Sequence, residues 1–214
     1  MKRLLPLLLF ASLVSFGCQS SSEPPATAIT IADEKDFAAK LGDARLLSEG
    51  ALKAQQAGQT LDKLDLENLE KALVIFNGLV AFEPKALGLY LGAAKIEVAL
   101  GREEAAVDRL SVITRRYFDT KTDADRETLA ECLGELGRIQ VRRKLFADAE
   151  KTLNTALEMF PRNLDYTAEL AGVMIEQRRY AEARRLLDQN RKLSPNHART
   201  NQLTTLLELS QGSR

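Results

Sequence analysis

The chain has 214 residues, and its 30 Lys and Arg balance 30 Asp and Glu, so no global basic excess marks it for nucleic acid. A single histidine argues against His-based triads, two-His metal sites and HExxH chemistry, and two cysteines cannot build a disulfide framework. Tryptophan is absent, aromatics are 6%, and six prolines with twelve glycines are too few for a turn-rich β sandwich, so the composition predicts an all-α fold.

The first predicted element is a leader over residues 1–17. Lys2 and Arg3 precede an apolar stretch, 4–16, interrupted only by two serines. About thirteen residues are too few to cross a hydrocarbon core of roughly 30 Å, so the stretch reads as an export signal. Gly17 directly before Cys18 resembles the bacterial lipoprotein signal, which implies lipid attachment at Cys18. Ser15 and Phe16 depart from that family's preference for Leu and for a small or β-branched residue. Ser15-Phe16-Gly17 also fits ordinary signal peptidase, in which case the product is secreted or periplasmic without lipid. Residues 18–33 are expected to form a flexible tether, being polar and interrupted by Pro24-Pro25. Cleavage after residue 17 leaves 28 cations against 30 anions. Gln19, which is not Asp, implies within the resembling Gram-negative lipoproteins an outer-membrane address facing the periplasm.

From 34 to about 210 only helices are expected. A leading helix from about 34 caps the array, and the first pair (44–86) has a helix over 44–58 and a long turn over 59–65. The second pair covers 87–120 and turns at Gly101-Arg102-Glu103-Glu104. Residues 121–129 are read as a solvated loop, in which Asp119, Asp123 and Asp125 evoke a calcium site but lack its glycine and bidentate glutamate. Pairs three (130–163) and four (164–197) repeat most clearly. Phe146, Ala149 and Leu153 recur as Tyr180, Ala183 and Leu187, and Pro161 and Pro195 stand 34 residues apart. A final helix over 198–209 shields the last pair.

This period resembles the tetratricopeptide repeat, a 34-residue helix–turn–helix unit. The resemblance implies a right-handed α-solenoid of about four units with capping helices. Numbered within the unit, position 8 is Ala94, Gly137 and Ala171, position 20 is Ala72, Ala106, Ala149 and Ala183, and position 24 is Phe76, Leu110, Leu153 and Leu187. Position 32 is Pro84, Phe118, Pro161 and Pro195. Tiny residues at 8 and 20 let the two helices of a unit approach closely, and proline ends the second helix. The family's usual Trp at position 4 is replaced by Tyr90, Leu133 and Thr167.

Catalytic chemistry is not legible. His197 sits at a helix start, Cys132 reads as a buried structural thiol, and no phosphate loop, nucleophile elbow or paired-carboxylate context is present. The basic runs Arg115-Arg116 and Arg142-Arg143-Lys144 read as solvated faces. The expectation is a scaffold with no cofactor, no metal and no nucleic acid partner. In the resembling family the first helices of successive units line a concave groove for a protein or peptide partner. Its places here run from basic (Lys95, Arg138, Arg142) to acidic (Glu169, Glu176), suiting a mixed-charge segment. The carboxylate clamp of the chaperone-binding members is not expected, because Asp165 and Glu169 stand where cations are needed. The combined expectation is a lipid-anchored adaptor of a bacterial envelope, with Cys18 in the membrane and the groove on a protein partner.

Overall fold

The computed structural model describes residues 29–117 and 122–212. The leader, Cys18, the tether before Ile29, Phe118 and Asp119 lie outside the described residues. The described chain is all helical: α1 (Glu34–Gln56), α2 (Lys63–Phe82), α3 (Leu87–Ala99), α4 (Glu103–Arg116), α5 (Asp123–Arg142), α6 (Phe146–Met159), α7 (Leu164–Glu176), α8 (Tyr180–Leu193) and α9 (Ala198–Gly212). Each helix packs on the next, and α1, α3, α5 and α7 also pack in succession. The result is a right-handed solenoid of four helix pairs, closed by α9.

Local chemistry sets the ends of these helices. Asp33 opens α1 by accepting from the Asp36 amide at 2.8 Å. Asp62 and Asp65 form a reciprocal capping box at α2, satisfying amides that no helical turn can reach. All four first helices end in one device. The residue after the cap takes a left-handed φ: Gly58 at 73°, Gly101 at 75°, Lys144 at 60° and Arg178 at 61°. Paired amide-to-carbonyl bonds then reach back, as Gly101 to Val98 and Arg102 to Glu97 do in the second pair. Glycine enters this region freely, whereas lysine and arginine do so at a cost. Pro84 and Pro161 occupy the opposite turns, where a helix has to stop.

The repeat positions fall where small size is needed. Ala94, Ala171, Ala72, Ala106, Ala149 and Ala183 are fully buried, as are Leu110 and Leu153. A Cβ at Gly137 would stand 2.7 Å from two Leu153 carbons, so this crossing admits no side chain. The core forms three successive clusters: one over α1 to α3, one centred on α3 to α6, and one over α6 to α9. Leu203 and Leu207 of α9 are buried in the last and cover the end of the array.

Four sequence expectations need correction. The leading cap and the first helix of pair one are a single 23-residue helix, because Gly42 and Gly50 sit on open surface and do not interrupt it. The long turn is shorter than expected, since the capping box starts α2 at Lys63. Residues 123–129 are not loop but the first turns of α5, with Thr122 accepting from the Asp125 amide and Leu129 fully buried. Residues 29–33, assigned to the tether, also lie against the array. Ile31 is buried, and the Ile29 carbonyl oxygen sits 2.8 Å from where a Cβ on Gly78 would be.

Candidate functional site: the concave face

The first helices of successive pairs lie side by side and present one shared face. Between them is a cavity of about 510 Å³. The last turns of α1 supply Leu52, Gln55 and Gln56, α3 supplies Lys95 and Val98, and α5 supplies Glu135, Arg138 and Arg142. Glu103 closes the rim from the start of α4. The length of α1 matters here, because the cavity wall is made from its last two turns. Gln55 Nε2 donates to the Val98 carbonyl at 3.4 Å and fastens that wall to α3.

The structure brings Lys95, Arg138 and Arg142 to one cavity, and their electrostatic states differ. Arg142 Nε donates to Glu103 at 2.6 Å. Arg138 donates to Glu135 at 2.8 Å, and its Nε lies 3.9 Å from Glu169. Glu169 is itself held by Arg199 of α9 at 3.1 Å. Two cations are thus fixed by carboxylates, and the side chains of Arg138 and Arg142 are only 36% and 44% exposed. Among the described residues no carboxylate comes within ion-pair distance of Lys95. Glu176, the exposed last residue of α7, is not part of the cavity lining.

These contacts revise the picture of a freely charged groove. Asp165 meets His197 Nε2 at 3.1 Å, and Glu169 meets Arg199, so both acids that argued against a clamp have partners. His197 Nδ1 lies 2.8 Å from the Thr200 hydroxyl, which makes the ring an end-piece for α9. Sequence reasoning did not find Leu52, Gln55 or Gln56, because the first helix of pair one carries no readable repeat phase, nor Glu103, which opens a second helix rather than lying on the face of the first helices.

A further ion pair, away from the cavity, is structural. Glu97 is 6% exposed in its side chain and receives both Nε and Nη2 of Arg109, which also reaches Asn77 Oδ1 at 3.0 Å. It ties α3 to α4 and α2. Arg102–Glu70, Arg143–Glu104 and Arg179–Glu150 join neighbouring pairs along the turn edge. Cys132 is fully buried, and desolvation pushes its thiol up to about 12. The Tyr166 phenol, packed over Gly134, is pushed up to about 12 by the same cause. Neither group is prepared for nucleophilic work. Among the described residues no three metal-ligating side chains cluster, and no helix is long and apolar enough to cross a membrane.

A family model described as tetratricopeptide repeat matches residues 140–207, the part in which the repeat is clearest. Solved structures similar to this chain include repeat solenoids of low sequence identity. A MamA protein is 16% identical with a TM-score of 0.56, covering 79% of this chain and 83% of that one. A Podosopora anserina kinesin-light-chain-type protein of nearly identical TPR-like repeats is 19% identical with a TM-score of 0.59, covering 79% and 87%. A chain of the APC/C hetero-tetramer Cut9–Hcn1 is 16% identical with a TM-score of 0.60, covering 81% of this chain and 32% of that one. No curated protein matches the sequence. The chain therefore has the fold of the tetratricopeptide solenoids, a fold typical of protein–protein interaction scaffolds.

Proposed function

We propose that this protein is a non-catalytic adaptor of a bacterial envelope, anchored by lipid at Cys18, whose concave face holds a segment of a protein partner. The observation that carries the binding half is the charged cavity where α1, α3 and α5 meet, on the face that stacked first helices leave uncovered. The anchoring half is supported by the position of Cys18, after an apolar stretch too short to span a bilayer. A Cut9–Hcn1 chain, with a similar solenoid, belongs to a hetero-tetramer by its own description.

Photo-crosslinking from the native envelope tests the binding half. A benzoylphenylalanine at Gln56, exposed beside the cavity, should trap a protein, while one at Arg185, exposed on α8, should not. Capture only from Arg185 would move the interface to the outer face. Intact mass tests the anchor: an acylated chain beginning at Cys18 is expected, and two or more acyl chains suffice for stable membrane residence. The Ser15-Phe16-Gly17 site favours one second reading, a soluble periplasmic or secreted binder, which the same mass measurement would establish.

A further inference from the structure

We infer that the cavity between α1, α3 and α5 is a seat for one carboxylate side chain with an apolar neighbour, presented by the partner and countered by Lys95. This rests on the proposed use of the concave face.

The cavity lining holds three cations, Lys95, Arg138 and Arg142, and two anions, Glu103 and Glu135, a surplus of one positive charge. The arginines are engaged: Arg142 with Glu103 at 2.6 Å and Arg138 with Glu135 at 2.8 Å. Each of these pairs fixes the orientation of a guanidinium and leaves it with further N–H donors, since a guanidinium has five. Lys95 holds the surplus, and no carboxylate among the described residues comes within ion-pair distance of it.

One surplus charge selects a monoanion. A carboxylate is neutralised by Lys95 alone and accepts additional N–H bonds from the fixed arginines or from Gln56. A phosphate monoester carries nearly two negative charges and would leave one beside Glu103 and Glu135. An acidic run would add further unpaired anions at the same carboxylates. Leu52 and Val98 line the same cavity and offer contact to aliphatic carbons, so the group that fits has a carboxylate beside an apolar stem. Lys95 is itself partly buried in the cavity wall, where water screens the attraction less than on open surface.

Hexanoate is a probe with both features and needs no knowledge of the partner. Titrated into the full chain, it should shift the backbone amides of residues 95–98 and 55–56 saturably in two-dimensional NMR spectra. 1-Hexanol, without the charge, and inorganic phosphate, without the stem, should each bind at least about tenfold more weakly. Lys95→Gln should weaken hexanoate about tenfold, and Lys95→Arg should restore it. Hexanoate shifts elsewhere, or unchanged by Lys95→Gln, overturn the inference, as does stronger binding of phosphate. The crosslinking at Gln56 decides the concave-face reading independently. A partner trapped there while hexanoate ignores Lys95 leaves the groove standing without this seat.

Discussion

Two glycines one helix pair apart should respond to the same substitution with opposite signs. At Gly137 the added methyl of Gly137→Ala would lie 2.7 Å from both Cγ and Cδ2 of Leu153, about 0.7 Å inside the 3.4 Å of an ordinary contact. Leu153 is fully buried, and because its branch carbon Cγ is one of the two atoms in the way, turning the terminal methyls does not relieve the contact, so the overpacking costs about 1–3 kcal/mol. Removing a glycine from a helix interior returns roughly 0.5–1 kcal/mol. The net expectation is a loss centred on about 1 kcal/mol. At Gly172 the methyl would stand 3.6 Å from Leu203 Cδ2, an ordinary contact. Only the helix term then remains, and Gly172→Ala should be more stable by roughly 0.5–1 kcal/mol. Urea unfolding followed by helical circular dichroism reads both, and the variants should straddle the wild type by about 2 kcal/mol in all. A Gly137→Ala protein as stable as wild type would refute the close crossing of α5 and α6.

Glu97→Ala should cost about 3–5 kcal/mol in the same assay, because it strands the Arg109 guanidinium between α3 and α4. Ala149→Arg should destabilise severely, whereas Ala181→Arg, on exposed α8 surface, should stay within about 0.5 kcal/mol of wild type. Lys144→Gly, at φ 60°, should stabilise by roughly 0.5 kcal/mol by relieving a left-handed backbone that glycine enters without strain. Cys132 should resist thiol reagents until the array unfolds. Its folded pKa of about 12 lies above that of a free thiol, so the unfolded chain loses its proton first and stability falls as pH rises from about 9 towards 12; Cys132→Ala should flatten that fall in alkaline melts.

The sequence made the repeated crossings visible because they are written in single residues. Ala72, Ala106, Ala149 and Ala183 recur at the point where two helices touch, and each is fully buried. The extension of α5 was hidden because Asp123, Asp125, Arg126 and Glu127 look like loop composition. The overlooked signal was Thr122 three residues before Asp125, a helix-start pairing. The cavity was half legible. Lys95, Arg138 and Arg142 follow from the repeat phase of pairs two and three, but α1 has no such phase, so its contribution could not be placed. The ion pairs were out of reach for a different reason. Arg138 with Glu169 and Glu169 with Arg199 join residues about thirty positions apart, and their meeting depends on how the units stack.

The docking of Ile29 and Ile31 on the first helix pair sets a leash length. If Cys18 is held in lipid as proposed, the eleven peptide units from there to Ile29 span at most about 38 Å even at full extension. Whatever occupies the groove is then met within a thin shell above the bilayer, and with the first pair as the near end. Gly78 permits that docking, because a Cβ there would lie 2.8 Å from the Ile29 carbonyl oxygen. Dislodging residues 29–33 would let out roughly 17 Å more line. A partner that sits deeper in the periplasm would then come into range, and one pressed close to the membrane would lose the confinement that raises its local concentration.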